Sequence, residues 1–220
     1  YALSDNNYSQ WDKYFGMYLG YDNRDGKFTN PLYNGNITGT IWKSQGDNSP
    51  RKYNYTYDRL DRFTTALFKK KKRPADSWLN TEVDFSVYME YEDGNGNIKS
   101  MKHMGVVPGV NNGVIVDDLR YSYKPVPGMS GLNGNKLIKV DDPFNSLGGN
   151  NGLLGDFKDG TNSGDDYDYD DNGNLVKDFN KNIVNGATNG VVYNFLNKPE
   201  KIIITGKSTI EFTYDASGEK

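Results

Sequence analysis

A short acidic segment is the first place where residue types and spacing could do chemistry. Asp168, Asp170 and Asn172 occupy alternate positions before Gly173, which is how the loop of an EF-hand calcium site begins. Oxygen ligands spaced in this way can wrap a hard cation such as Ca²⁺. The twelfth position of that loop needs a bidentate Glu, and here it is Phe179. We therefore interpret the segment as a hairpin turn, and we expect no metal or other cofactor.

The other polar residues give weaker chemical signals. His103 is the only histidine and cysteine is absent, so Ser-His and Cys-His triads and multi-histidine metal sites lack their parts. The cations of 69–73 precede Pro74 without the interleaved aromatics of a nucleic-acid site, and we interpret them as a solvated loop. Carboxylates that could act on a glycosidic bond show no distinguishing motif; they are Glu82, Asp84, Glu90, Glu92 and Asp93. We predict that the chain is not an enzyme.

Composition limits the fold class and the partners. Hydrophobic residues make up only 35% of the 220 residues, but 17 Tyr, 10 Phe and 3 Trp supply large apolar surfaces. The 25 Gly and the abundant Asn favour tight turns, and therefore many short strands. A net charge of -3 gives no general attraction to nucleic acid, and no apolar run is long enough to span a membrane. The chain opens at Tyr1 with no signal-like segment.

An internal repeat organises most of the chain. The segments 167–173 and 212–218 both read aromatic-x-Tyr-Asp-x-x-Gly, and looser copies surround Tyr57, Tyr91, Tyr123 and Tyr193. Aromatic residues at alternate positions lie on one face of a strand, the Asp accepts backbone N–H groups ahead of it, and Gly supplies the positive φ of a primed hairpin turn. The repeat residues that we expect to be structural are Tyr55, Tyr57, Asp58, Tyr91, Asp93, Gly96, Tyr121, Tyr123, Tyr167, Tyr169, Asp170, Gly173, Tyr193, Phe212, Tyr214, Asp215 and Gly218.

The repeat predicts an all-β fold of tandem β-hairpins. We expect one curved antiparallel sheet over residues 1–220, forming a partial shell or an open spiral. Residues 145–164 are rich in Gly and Asn and are predicted to be an insertion. The edges of such a sheet favour edge-to-edge pairing of two molecules unless loops protect them.

The aromatic-x-Tyr-Asp-x-x-Gly-Asn-Leu pattern, with its return strand, resembles the YD repeats of RHS-type proteins. That family includes bacterial toxin-delivery proteins and the animal teneurins, and segments 171–183 and 193–202 are most similar to RHS-repeat proteins of Bacteroidetes. The resemblance implies a sheet that spirals into a hollow shell, which encloses a cargo domain in the toxin members. It also implies a secreted or cell-surface location. Because the chain has no counterpart of the RHS-associated core region, neither self-cleavage nor toxin activity is carried over.

Two functions fit these observations. The first is structural: a non-catalytic segment of the wall of a larger secreted or cell-surface protein, whose partners are neighbouring repeats and an enclosed cargo. The alternative is a binding module, in which exposed aromatic residues such as Trp11, Trp42 and Trp78 form a platform for a glycan or a partner protein. The first function predicts no small-molecule ligand, and the second predicts solvent-facing aromatic residues in one groove.

Overall fold

The computed structural model describes residues 14–22, 26–72, 76–79, 85–92, 94–107, 113–144, 155–160, 163–186 and 188–220. These residues form strands and turns and no helix, which confirms the predicted all-β class. They accordingly contain no helix with the length and apolar character needed to cross a membrane. Of the predicted insertion, residues 145–154 and 161–162 lie outside the described residues, and 155–160 contain no strand.

The strands follow one another along the chain as hairpins. They are β1 (Phe15–Gly20), β2 (Gly39–Ser44), β3 (Arg51–Tyr57), β4 (Phe63–Lys70), β5 (Val87–Tyr91), β6 (Ile98–Val106), β7 (Gly113–Pro125), β8 (Asn133–Asp141), β9 (Tyr167–Tyr169), β10 (Leu175–Asp178), β11 (Val184–Asn185), β12 (Thr188–Asn189), β13 (Val191–Tyr193), β14 (Pro199–Ile204) and β15 (Ser208–Glu211).

Within each sheet, strands adjacent in space are adjacent in sequence. The first eight strands form one open antiparallel sheet in the order β1 to β8. After β8 the expected single sheet is interrupted, and the chain forms the pairs β9–β10 and β11–β12 and the three-stranded sheet β13–β14–β15. These later strands are two to six residues long.

The chain forms two compact units, each assembled from segments distant in sequence. Unit 1 comprises Tyr1–Tyr91, Ser100–Asp118 and Phe144–Asp156. Unit 2 comprises Glu92–Lys99, Leu119–Pro143 and Phe157–Lys220.

In unit 1, alternation along the strands places a row of aromatic rings on one face of the sheet. Tyr53 of β3 is opposite Phe68 of β4, and their ring centroids are 5.4 Å apart. The Tyr53 ring also stacks on Trp42 at 5.4 Å, and the Phe68 ring contacts Phe85 at 5.4 Å. Phe68 is buried, with 2% of its surface exposed, so this row is a core and not only a surface feature.

The opposite face of the same strands carries a second apolar cluster. Ile41 of β2 is fully buried and packs with Phe28, and Tyr18 and Trp78 cover this pair. Gly39 belongs to the same cluster, since a Cβ at that position would overlap the ring of Phe28. The loop between β1 and β2 is therefore held on this face by an aromatic ring seated against a glycine.

Unit 2 is organised around a buried carboxylate. Asp166 is fully buried, and its Oδ2 accepts the N–H of Val140 at 2.8 Å. Its own N–H donates to the carbonyl of Ile138, and its carbonyl accepts the N–H of Phe179. One residue therefore joins β8 to the segment that follows β10, and the apolar contribution comes from buried Val140 and Val176.

The interpretation of the basic run as a loop is wrong for its first two residues. β4 extends to Lys70, with Lys69 opposite Lys52 and Lys70 opposite Arg51. Lys69 and Lys70 are partly exposed, so their long side chains reach solvent while the backbone stays paired with β3. Arg73 lies outside the described residues.

Candidate functional site

In the turns of the repeat that begin with Asp, one carboxylate oxygen accepts hydrogen bonds from backbone N–H groups that follow it in the chain. After β3, Asp58 Oδ1 accepts the N–H groups of Leu60 at 2.8 Å and Arg62 at 3.0 Å. After β9, Asp170 Oδ1 accepts the N–H of Asn174 at 2.8 Å. The strand ends at the Asp because these bonds bend the backbone ahead of it away from the ladder.

The last two turns follow the same plan with different residues. Asp215 Oδ1 accepts the N–H groups of Ser217 and Glu219, both at 2.9 Å. After β13, Asn194 Oδ1 accepts Leu196 at 2.9 Å and Lys198 at 3.1 Å. A neutral amide oxygen can therefore take the place of the carboxylate, which explains why the copy at Tyr193 folds without an Asp.

Hydrogen bonds hold the pKa of two turn carboxyls below the ordinary value of 3.8. For Asp170 the main cause is the hydrogen bond from the Asn174 side chain, and for Asp215 it is the bond from the Ser217 side chain, followed by backbone N–H groups. Each bond favours the charged acceptor over the protonated acid. The folded turns therefore favour the ionised form of both aspartates.

The loops differ from the predicted primed turns. The Asp58 N–H donates to the Arg62 carbonyl and the Asp61 N–H to the Asp58 carbonyl, so three residues form the loop. Each such loop has a single residue at positive φ, at the fourth position after the Tyr: Asp61 (59°), Gly173 (85°), Asn197 (55°) and Gly218 (81°). This is a type I turn followed by a left-handed residue, whereas a type I′ turn needs two. The prediction of primed turns is wrong because the loop between the Asp and the return strand has three residues, whereas a primed turn has two.

The second aromatic residue of every copy donates a hydrogen bond to the preceding hairpin. Its phenolic hydroxyl bonds a backbone carbonyl: Tyr57 bonds Ile37 (2.8 Å), Tyr91 bonds Phe63 (2.7 Å), Tyr123 bonds Ile98 (2.9 Å), Tyr169 bonds Leu137 (2.8 Å), Tyr193 bonds Leu175 (2.9 Å) and Tyr214 bonds Pro199 (2.8 Å). We call these bonds the tyrosine ladder; the first two lie in unit 1 and the other four in unit 2.

The acceptors of the tyrosine ladder share a place in the fold. Phe63, Ile98, Leu175 and Pro199 are the first residues of β4, β6, β10 and β14. Each of these strands returns from the turn of the previous copy. The tyrosine of one repeat is therefore tied to the backbone of the repeat before it, at the point where the turn ends.

In three copies, the residue just before the acceptor is a cation that lies over the donor's ring. The Arg62 guanidinium is 4.6 Å from the ring centroid of Tyr91, and Lys198 Nζ is 5.4 Å from that of Tyr214. Lys136 lies in the same way over its tyrosine, 5.7 Å from the centroid. The cation–π contact and the hydroxyl bond thus fix the ring through two neighbouring residues.

In the other three copies this residue is Asn, which bonds the next turn instead. Asn36 Nδ2 donates to Asp61 Oδ1 at 3.1 Å, and Asn174 Nδ2 donates to Asn197 Oδ1 at 3.2 Å. Asp61 and Asn197 are the left-handed residues of those turns. Asn97 donates to a backbone carbonyl near the following turn, that of Gly134 at 2.8 Å.

One turn of this system was missed by the sequence analysis. Ile37 accepts the Tyr57 hydroxyl, and Gly35 before it has a φ of 90°. No Tyr-Asp pair precedes this turn, so the repeat pattern did not include it. The signal was nevertheless present, because Asn-Gly-Asn-Ile occurs both at 34–37 and at 95–98, and Asn-Gly-Asn-Leu at 172–175.

The first aromatic residues of the copies have no common partner. Tyr55 Oη is 3.1 Å from Thr40 Oγ1, and the ring of Phe212 has Lys220 Nζ 3.9 Å from its centroid. Tyr121 and Tyr167 are half-buried in β7 and β9. Gly96 has a φ of 77° in the turn after Tyr91, and Asp93 of that turn lies outside the described residues.

The residues of the calcium-like segment each have a protein partner. Lys177 Nζ is 3.3 Å from Asp168 Oδ2, and Asn172 Nδ2 donates to Asn197 Oδ1 at 3.1 Å. Asp170 Oδ2 accepts the side-chain amide of Asn174 at 2.9 Å, while its Oδ1 closes the turn. Within this segment Asp170 therefore closes the hairpin turn, Asp168 forms an ion pair with a lysine, and Asn172 bonds the next turn.

The remaining candidate residues are two tryptophans, the histidine and the lining of a groove in unit 2. Trp42 belongs to the aromatic row of unit 1 and Trp78 to the cluster with Phe28, while Trp11 lies outside the described residues. Nδ1 of His103, in β6, is 3.5 Å from Oδ2 of the buried Asp117 in the same unit. In unit 2 an open groove of about 400 Å³ is lined by Val192, Glu200, Lys201, Glu211, Phe212 and Thr213.

No protein-family model matches the chain, and no curated protein matches it. The geometry of the repeat itself is therefore the basis for a functional conclusion.

Proposed function

We propose that the chain is a non-catalytic structural segment that contributes tandem hairpins to the wall of a larger RHS-type protein, secreted or held at the cell surface. Neighbouring repeats of the parent chain and an enclosed cargo are its partners. The observation that carries the proposal is the tyrosine ladder, because it recurs in all copies of the repeat.

The polar side chains of the repeat act on the chain's own backbone. Asp170 and Asn174 close a turn and reach its neighbour, and Tyr193 ties the return strand of that turn to the next hairpin. Each such bond contributes about 0.5–1.5 kcal/mol to stability. In repeat proteins, contacts of this strength between neighbouring repeats stabilise an extended structure whose single repeats are unstable alone.

Hydrogen exchange of the whole chain tests whether the ladder couples neighbouring hairpins. In Tyr193→Phe only the hydroxyl is lost, and we expect faster amide exchange in β10, which holds the acceptor, and in the turn after β13. Tyr33→Phe is the matched control, since Tyr33 is 79% exposed and lies outside the ladder. Equal exchange in the two variants would contradict the coupling.

The wall itself is tested on the full-length parent protein by electron cryo-microscopy. We expect the eight-stranded sheet to continue into flanking repeats of the same polypeptide. A free-standing domain joined to the rest by linkers would overturn the proposal.

A binding module is the second candidate, and the aromatic row of unit 1 favours it. Trp42, Tyr53 and Phe85 offer ring surface on one face, and Phe85 is 44% exposed. Flat rings of this kind contact sugars or apolar peptide. A saturable tryptophan-fluorescence response to a glycan, abolished in Trp42→Ala, would favour this function, whereas the wall segment is expected to give none.

A further inference from the structure

A lysine is buried in the second apolar cluster of unit 1. Lys52 of β3 has 7% of its surface exposed and lies opposite Ile41 of β2 and Lys69 of β4. Its Nζ donates to the carbonyl of Lys27 at 3.3 Å and is 4.7 Å from the ring centroid of Trp78. Among the described residues the ammonium contacts this carbonyl and aromatic rings, and no carboxylate. A buried charge without an ion-pair partner costs stability.

Two further lysines add positive charge around this amine. Lys69 is directly opposite Lys52 in the ladder, so the two side chains lie on one face of the sheet. Lys71 Nζ is 5.0 Å from the centroid of the Trp78 ring, the ring that Lys52 also contacts. Burial, followed by the charges of Lys69 and Lys71, lowers the pKa of Lys52 to about 8.

The other charged groups of this region leave the surroundings of Lys52 positive. Lys43 is two residues after Ile41 in β2, on the same face, and is 4% exposed. The acid of the region is Asp76, whose charge acts on the pKa of Lys71 and raises it against the larger effect of burial. Among the described residues, the charges that shift the pKa of Lys52 are therefore those of lysines.

An amine that is desolvated and surrounded by cations is an activated nucleophile. At pH 7.5 an amine of pKa about 8 is about one quarter neutral, whereas an amine with the ordinary value of 10.5 is about one thousandth neutral. Because Lys52 is buried, its electrophile has to be small, and because its neighbours are cations, an anionic product is favoured. Carbon dioxide meets both conditions, since it is small and its adduct with an amine is a carbamate anion.

We propose that Lys52 is a carboxylation site, at which carbon dioxide forms a carbamate that the lysines of this face stabilise. The nitrogen lone pair of the neutral amine bonds to the carbon, one C–O π pair moves onto oxygen, and a proton of the amine passes to solvent. The carbamate nitrogen keeps one N–H, which replaces the ammonium as donor to the Lys27 carbonyl. A cation among cations thereby becomes an anion among cations, and unit 1 gains stability. This inference does not depend on the proposed wall function.

Carbon-13 NMR of the whole chain in labelled bicarbonate detects the carbamate directly. Between about pH 7.5 and 8.5 we expect one carbamate signal besides that of the chain's α-amine, which confirms that carbon dioxide has equilibrated. Lys52→Arg keeps the positive charge and should abolish the new signal, whereas Lys207→Arg, at an exposed turn, should leave it unchanged. Trapping the carbamate of the unmodified chain with a trialkyloxonium salt, followed by peptide mass spectrometry, should locate it at Lys52.

A second pair of variants tests the neighbouring cations. Lys69→Gln removes the charge opposite Lys52, which leaves less neutral amine and takes a cation away from the carbamate, so the carbamate fraction should fall about threefold or more. Lys70→Gln is the matched control, since the next residue of β4 lies on the other face, opposite Arg51. No signal beyond that of the α-amine, an unchanged signal in Lys52→Arg, or equal losses in Lys69→Gln and Lys70→Gln would overturn the proposal.

Discussion

The hairpin β3–β4 in unit 1 and the hairpin β9–β10 in unit 2 carry the same repeat on strands of different length. β3 and β4 have seven and eight residues, and their aromatic side chains contact one another edge to face between the two strands. β9 and β10 have three and four residues, and the ring of Tyr169 meets a lysine and a backbone carbonyl instead.

The comparison shows that one motif can be stabilised in two ways. Long strands bury aromatic faces, so apolar contact between neighbouring strands supplies most of the stability. Short strands bury little apolar surface. In unit 2, hydrogen bonds of the turns and of the tyrosine ladder therefore connect one hairpin to the next. Variants can therefore be chosen that damage one unit much more than the other.

The largest effect is expected from the core of the aromatic row. Phe68→Ala removes a side chain that is 2% exposed and contacts three other rings, and should lower the free energy of unfolding by about 3–5 kcal/mol. Phe179→Ala in unit 2, where the side chain is 37% exposed, should cost less than half as much. Urea denaturation measures both. Equal losses would mean that the two units do not differ in how they are stabilised.

A smaller effect is expected where unit 2 depends on backbone conformation. Gly173 has a φ of 85°, and Gly173→Ala should cost about 1–2 kcal/mol because a Cβ is strained there. Gly164→Ala is the matched control in the same unit, since a Cβ there meets nothing and the backbone is not left-handed. If both variants lost the same stability in denaturation, the turn would not be what holds this hairpin.

The pH dependence of unit 1 should reveal a buried cation. Burial lowers the pKa of Lys52 to about 8, with help from Lys69 and Lys71, while Phe28 and Trp78 cover its ammonium group. The folded chain then binds fewer protons than the unfolded chain between this pKa and the ordinary 10.5, so Lys52 makes stability rise with pH over that window.

Lys52→Met should therefore raise the melting temperature at neutral pH and flatten its rise between about pH 8 and 9.5. Lys207→Met, at an exposed turn, is the control. Thermal unfolding at several pH values checks this prediction, and an unchanged slope in Lys52→Met would show that the amine is not desolvated.

The smallest effect is expected from the turn carboxylates of unit 2. Because the folded pKa of Asp170 is lowered, its contribution to stability is present above the ordinary pKa and is lost as pH falls through the lowered value. Asp170→Asn keeps one acceptor oxygen and cannot titrate, as Asn194 does naturally. In an acid titration, we expect the stability of Asp170→Asn to fall slightly less steeply below about pH 4 than that of the unmodified chain. The same acid profile for both would contradict the charge dependence.

The hairpins could be predicted from sequence, whereas the contacts between them could not. Alternate aromatics before Asp identified the strand ends at Tyr57 and Tyr169, since strand and turn geometry are local. In the last copy β15 ends earlier than the pattern predicts, at Glu211, three residues before Tyr214. The acceptors of these tyrosine hydroxyls are backbone carbonyls, which leave no trace in residue types. The turn before Ile37 was missed for a different reason: no Tyr-Asp pair precedes it, although its Asn-Gly-Asn-Ile sequence recurs at 95–98.

The use of main-chain acceptors has a consequence for how such a chain can evolve. Donor and acceptor are separated by as few as 15 residues for Tyr214 and as many as 32 for Tyr169. A carbonyl is present whatever the side chain, so a hairpin can be duplicated, lengthened or exchanged without a compensating change in its neighbour. Recombination between copies therefore preserves the hydrogen bond between the tyrosine and the backbone carbonyl. Selection can then act on the loops independently of this contact.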